Sequence, residues 1–144
     1  SWNAALAVVC GDSVVWKPSE KTPLTALATQ ALWDQACEGF GDDLPPHLCQ
    51  VLTGGAAAGE ALVDDPRVAL VSATGSTRMG RIVGPRVAAR FGRCLLELGG
   101  NNAIVVLPDA DLDLATRAIV FGAVGTAGQR CTSTRRVFVH EAVK

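Results

Sequence analysis

The chain has 144 residues, of which 49% are hydrophobic and 19% charged, with a formal net charge of -1. That is one domain's worth of core-rich globular chain, which excludes a disordered tail. No basic run exceeds the pair Arg135-Arg136, so a nucleic-acid or anionic-membrane surface is not expected. The apolar stretches are too short to span a bilayer, and no signal-peptide pattern is present. Five cysteines without a Cys-x-x-Cys spacing predict reduced thiols in a cytoplasmic compartment rather than a disulfide framework.

Trp2 to Cys10 reads as the end of an apolar helix, and Ser13 to Lys17 as a strand closed by Pro18. Thr22 as N-cap and Pro23 in the first turn open a helix to about Glu38. Gly39 to Pro46 is turn-rich loop, Cys49 to Leu52 a short strand, and Gly55 to Val63 a short helix. Arg67 to Ala73 is a β-branched strand, followed by an amphipathic helix from Ser76 to Phe91 in which Pro85 predicts a kink. Cys94 to Leu98 and Ala103 to Leu107 read as strands, Asp111 to about Val124 as a helix, and Arg136 to His140 as a final strand.

Strands alternating with helices predict an α/β fold, a Rossmann-like parallel sheet with helices on both faces. Near-continuous apolar strands such as Val68-Ala69-Leu70-Val71 suit a sheet buried on both sides. Gly99-Gly100 interrupts two strands and predicts a boundary, with a nucleotide-type fold over 1–98 and the beginning of a second α/β unit over 99–144. The chain lacks an initiator methionine and opens inside a helical pattern, so a segment cut from a longer protein is expected.

Among the cysteines, Cys131 is the one placed for chemistry. It sits in Gly125-Thr126-Ala127-Gly128-Gln129-Arg130-Cys131-Thr132, with Arg130 beside the sulfur and Arg135 and Arg136 beyond. Neighbouring positive charge lowers a thiol pKa and favours the nucleophilic thiolate. On local context alone, a reactive and a packing role are equally open. Cys10, Cys37 and Cys94 lie among apolar residues and are expected to be buried, with Cys49 a weaker case.

Gly75-Ser76-Thr77-Arg78-Met79-Gly80 follows a strand and opens a helix, a geometry suited to a pyrophosphate as well as to an ordinary capped turn. It is neither a Walker A loop nor a G-x-G-x-x-G fingerprint. Lys17 and Glu20 stand at the end of a strand, where they form either a solvated turn or a pair holding the hydroxyls of a ribose. A carboxylate there repels a 2′-phosphate and favours NAD over NADP. Glu97 is a carboxylate inside the apolar strand Cys94-Leu95-Leu96-Glu97-Leu98, which reads either as a satisfied buried or edge-position side chain or as a buried group whose raised pKa suits a general base. Asp109, Asp111 and Asp113 fail as a calcium loop, since Leu114 and Val120 stand where glycine and glutamate are required. Acidic residues at a helix start instead suit its dipole. His47 and His140 are too isolated for a metal site, and no metal is expected.

Glu97 in Leu-Glu-Leu-Gly-Gly and Cys131 in Gly-Gln-x-Cys resemble the paired signatures of the NAD(P)-dependent aldehyde dehydrogenase superfamily. Lys17-Pro-x-Glu20-x-Thr22-Pro23 and Thr74-Gly75-Ser76-Thr77-x-x-Gly80 match two further motifs of that family in the right order, so the resemblance spans the chain. Leu98-Gly99-Gly100-Asn101-Asn102-Ala103 and Thr126-Ala127-Gly128-Gln129-Arg130-Cys131-Thr132 are similar to the antiquitin group, which oxidises α-aminoadipate semialdehyde, the open form of piperideine-6-carboxylate, in lysine catabolism.

The resemblance implies roles for these residues. Cys131 would be the nucleophile and Glu97 the base that activates water. Lys17, Glu20, Gly75, Ser76, Leu98 and Gly99 would line the NAD site, and Arg130 would bind a substrate carboxylate. Residues 1–98 would be a partial coenzyme domain and 99–144 the start of a catalytic domain in a cytoplasmic homo-oligomer, a dimer or tetramer. Two departures accompany the match. Asn3 stands too close before Lys17 to be the family's oxyanion asparagine, which is expected upstream, so the fragment alone is expected to be inactive. Ala73 replaces a frequent phenylalanine. A CoA-acylating semialdehyde dehydrogenase and a non-catalytic nucleotide-binding protein are the rival expectations.

Overall fold

The computed structural model describes residues 2–144. Helix α1 (Trp2–Val9) leads to β1 (Val14–Trp16), α2 (Pro23–Glu38), β2 (Cys49–Val51) and α3 (Ala56–Asp64). There follow β3 (Leu70–Gly75), α4 (Thr77–Ala89), β4 (Arg93–Leu98), β5 (Asn102–Val106), α5 (Leu112–Val124) and β6 (Thr134–Val139). The expected α/β order is therefore present from end to end. Among the described residues no helix is long and apolar enough to cross a membrane.

Differences at the element ends have local causes. The strand read from Arg67 begins only at Leu70. The Asp65 carboxylate accepts from the Arg67 backbone N–H at 2.9 Å and the Val68 N–H donates to the Asp65 carbonyl at 3.1 Å, which folds those residues into a turn. Helix α4 continues through Pro85 to Ala89. Pro85 and Arg81 are both exposed, where solvent can serve the carbonyl that a proline nitrogen leaves unbonded. Thr22 occupies the cap position of α2, but its hydroxyl makes no capping bond. Asp111 does cap α5, accepting from the Leu114 N–H at 3.0 Å, with Asp113 in the first turn of the helix.

The strands pair two by two: β1 with β2, β3 with β4, and β5 with β6. The first and last pairs are parallel, each joined across a helix as a βαβ unit requires. The chain divides into two compact units, Ser1–Ser72 with Val83–Leu95, and Ala73–Ile82 with Leu96–Lys144. The second unit carries Gly99-Gly100 within it, together with the start of α4 and all of α5.

In the first unit Ala26, Cys49, Val63, Val83 and Val87 are buried. Arg86 joins α4 to α3 there, bridging to Asp64 and, at 3.3 Å, to Glu60. Arg90 donates to the carbonyls of Val63 and Val68 at 2.8 and 2.7 Å. The Asn3 amide donates to the Ser72 hydroxyl at 2.7 Å, a contact that ties α1 to β3. In the second unit the buried side chains are those of Val106 and Ser133.

The Arg67 guanidinium holds the Asp65 carboxyl down to about 2, first through side-chain hydrogen bonds and then through its backbone N–H. A depressed carboxyl contributes stability above its unfolded pKa and loses it as pH falls through the folded value. Asp65 is therefore expected to stay ionised to about pH 2 in a carboxyl-resolved NMR titration. Arg67→Ala should return its midpoint toward the ordinary 3.8.

Candidate functional site

Cys131 lies on a four-residue turn between α5 and β6. The Ser133 N–H donates to the Arg130 carbonyl at 3.2 Å, and the Arg130 N–H donates to the Ser133 hydroxyl at 3.0 Å. Ser133 is only 2% exposed, whereas Arg130, Cys131 and Thr132 are exposed. The turn thus turns a serine inward and leaves the thiol accessible. Ahead of it, a 3₁₀ segment over Gly125–Gly128 places Thr126, Ala127 and Gly128 at φ of 51°, 54° and 65°. Two non-glycine residues in the left-handed region cost about 1–2 kcal/mol each, a cost that the surrounding bonds must offset. One such bond runs from the Arg135 guanidinium to the Gly128 carbonyl at 3.0 Å.

The other cysteines divide differently from expectation. Cys10 and Cys94 are exposed, Cys37 is half-buried, and Cys49 is the buried one. Cys10 follows the end of α1 and Cys94 lies on β4, and apolar neighbours such as Val9 and Leu95 are exposed as well, so apolar flanks did not imply burial there. Burial pushes the Cys49 thiol up, with the charges of Asp34 and Cys37 acting in the same direction.

Glu97 is exposed on β4, so of its alternative readings burial inside the apolar strand is the one that fails. The half-buried positions of that strand are Leu96 and Leu98. Glu97 belongs to the same compact unit as Cys131, as do Gly75, Ser76, Leu98, Gly99 and Arg130. Arg130 extends over the Phe121 ring, with its guanidinium carbon 5.6 Å from the centroid.

The start of α4 is built for close approach. The Ser76 hydroxyl accepts from the Met79 N–H at 3.1 Å and caps the helix. The first-turn N–H groups of Thr77 and Arg78 have no carbonyl further back in the helix to bond. A Cβ at Gly75 would lie 2.8 Å from Met79 Cε, and one at Gly80 would lie 2.6 Å from Leu98 Cδ1. Glycine at position 80 lets the helix rest directly on β4, while Gly99 has open space where a Cβ would stand. Exposed N–H donors at the positive end of a 13-residue helix fit a pyrophosphate.

Lys17 and Glu20 belong to the other unit. They form an ion pair of 3.8 Å, and Lys17 Nζ also donates to the Gly54 carbonyl at 3.1 Å. The lysine stem runs along Gly59, whose Cβ would sit 3.4 Å from Lys17 Cδ. Its ammonium is thereby held in place beside the carboxylate, an arrangement that fits two adjacent hydroxyls. Among the described residues no group of three or more His, Cys, Asp or Glu could hold a metal ion.

Two residues of this site, Ser133 and Phe121, went unread in the sequence, and Asn102 was read only as part of a motif, without a role. Asn102 donates through its amide nitrogen to the carbonyls of Cys131 and Ser133, at 2.6 and 3.1 Å. Its signal was a polar side chain at the head of an apolar strand. Ser133 and Phe121 gave none, because a serine after a threonine and a phenylalanine in an apolar helix look ordinary.

Residues 1–144 match the family described as the aldehyde dehydrogenase family, and the chain belongs to that family. It is 51% identical over 142 residues to aldehyde dehydrogenase family 7 member B4 of Arabidopsis thaliana, covering 99% of this chain and 28% of that protein. It is 47% identical over 142 residues to α-aminoadipic semialdehyde dehydrogenase of Bos taurus, covering 99% of this chain and 26% of that one. A crystal structure of aldehyde dehydrogenase C from Pseudomonas syringae, complexed with NAD⁺ and octanal, superposes with a TM-score of 0.82 at 34% identity. That match covers 96% of this chain and 27% of the other. The chain thus spans about a quarter of the length of these relatives.

Ser76→Ala should remove the cap of α4 at a cost of about 1 kcal/mol, read as a lower urea midpoint at unchanged slope. An unchanged midpoint would show that the hydroxyl does not cap the helix.

Proposed function

We propose that this chain is part of an NAD-dependent aldehyde dehydrogenase that oxidises a carboxylated aldehyde, α-aminoadipate semialdehyde, in lysine catabolism. The observation that carries the reading is an accessible Cys131 on a bonded turn, in one compact unit with Glu97 and the exposed N-terminus of α4. Support for the substrate comes from the name of the Bos taurus relative and from Arg130, whose exposed guanidinium is steadied over Phe121. A fork of N–H donors matches a carboxylate.

In this mechanism the Cys131 sulfur attacks the aldehyde carbon, and the carbonyl oxygen takes up a proton to complete a thiohemiacetal. Bound NAD would accept the hydride that the thiohemiacetal carbon must lose. As the C=O bond re-forms and the hydroxyl proton departs, Cys131 holds a thioester. Glu97 then takes a proton from water, whose oxygen attacks the thioester carbon. The C–S bond breaks, and the carboxylic acid and the Cys131 thiolate are released.

Lys17 and Glu20 would hold a ribose, and Gly75, Ser76, Leu98 and Gly99 would flank the pyrophosphate and nicotinamide portions of the coenzyme. The carboxylate of Glu20 favours NAD over NADP by repelling a 2′-phosphate. Residues 1–98 would serve as part of the coenzyme domain and 99–144 as the beginning of the catalytic domain. The reduced-type cysteine pattern supports a cytoplasmic location. Apolar side chains left exposed, among them Trp2, Val9, Leu24 and Phe91, support burial against the rest of a longer parent, which would itself be a homo-oligomer.

A CoA-acylating reaction is the second reading, in which a thiol replaces water as acyl acceptor. The position of Glu97, exposed and able to meet water, favours hydrolysis. Product analysis with and without coenzyme A separates the two.

In the intact parent enzyme, Cys131→Ala should lower aldehyde-dependent NADH formation by about 10³-fold or more. Glu97→Gln should keep a burst of NADH but slow steady turnover by about 10²- to 10⁴-fold. Turnover like the wild type in either variant would remove that residue from its role. Arg130→Ala should lower kcat/KM for α-aminoadipate semialdehyde roughly 10- to 100-fold relative to an uncharged aliphatic aldehyde. An unchanged ranking would overturn the assignment of substrate class.

A further inference from the structure

Resting on the reading of Cys131 as nucleophile, we infer that Asn102 is a positioning residue for the reaction, holding the turn that carries the thiol against strand β5. The Asn102 amide nitrogen lies 2.6 Å from the Cys131 carbonyl and 3.1 Å from the Ser133 carbonyl. Both partners are acceptors only, so the atom facing them must carry two N–H donors. An amide meets that demand. A carboxylate would oppose oxygen to oxygen, and a hydroxyl has one proton for two acceptors.

The turn needs such a hold. Its internal bonds join Arg130 to Ser133 and fix its shape, but they do not tie it to the sheet. The segment before it passes through three successive left-handed residues, Thr126, Ala127 and Gly128. One of the two Asn102 bonds falls on the backbone of the nucleophilic residue itself. A displacement of about 1 Å at a reacting atom costs on the order of 10²-fold in rate.

The role is separable from folding. Strands β5 and β6 pair along their length from Asn102↔Thr134 to Val106↔Val139. Arg136 adds bonds of 3.2 and 2.8 Å to the Asn101 carbonyl. Loss of the Asn102 amide therefore releases the turn while the sheet stays paired.

The test uses the full-length enzyme with Asn102→Leu, which has no donor, and Asn102→Ser, which has one. Single-turnover NADH formation is normalised to coenzyme-binding sites counted by NADH fluorescence titration. This separates a slower site from a smaller amount of folded protein. The rate per site should fall about 100-fold for the leucine variant and about 10-fold for the serine variant, with coenzyme Kd within about twofold of wild type. Rates per site that stay at the wild-type value, with only thermal stability lowered, would overturn the positioning role and leave the proposed reaction intact. Failure of both variants to fold would make Asn102 structural and overturn it equally. Cys131→Ala is assayed alongside: if it retains turnover, the nucleophile assignment fails, whatever the Asn102 variants do.

Discussion

The parallel pairing of β5 with β6 is the constraint on which the candidate site depends. Its register shifts between Asn102 and Ala103: Asn102 pairs with Thr134, and Ala103 with Arg136. Arg135 is therefore the extra residue of a bulge, a feature that re-aims side chains next to functional sites. Its guanidinium reaches back to the Gly128 carbonyl, while Asn102 at the head of β5 reaches the carbonyls on either side of Thr132. The crossover helix fits closely behind. A Cβ at Gly122 of α5 would collide with the Thr134 hydroxyl, so the first residue of β6 is set directly against the helix.

What results is an exposed thiol on a backbone held from several directions. Cys131 and Cys49 show the contrast within one chain. Cys49 sits on a buried strand position, with burial and the nearby charges of Asp34 and Cys37 all disfavouring its thiolate. Cys131 faces solvent with Arg130 beside it. Arg130 divides its surface between the Phe121 ring and solvent, so its charge is placed without being neutralised by a carboxylate partner among the described contacts.

Element order and type were legible in the sequence because apolar periodicity and turn residues coincide with the observed strands and helices. Asp111 as the cap of α5 and the glycine-lined start of α4 belong to that legible part. Burial was not legible. Glu97 and Cys94 lie in an apolar run that the structure leaves largely exposed, since a hydrophobic pattern records what a strand is able to bury rather than what covers it. The ties of the nucleophile turn were hidden for another reason. The Asn102 amide meets carbonyls 29 and 31 residues away, and backbone acceptors carry no residue-specific mark in a sequence. The Arg67 turn, which delays β3, is the reverse case. Its partner Asp65 stands two residues away, and the pairing was present in the sequence but outweighed by the β-branched pattern.

The most direct measurement is peptide mapping of the intact parent enzyme, acid-quenched during turnover with aldehyde and NAD. An acyl group equal to the aldehyde less two hydrogens is expected on the peptide that carries Cys131, and it should require NAD. An adduct on another cysteine, or continued turnover with Cys131 unmodified throughout, would contradict the assignment of Cys131 as the residue that carries the substrate.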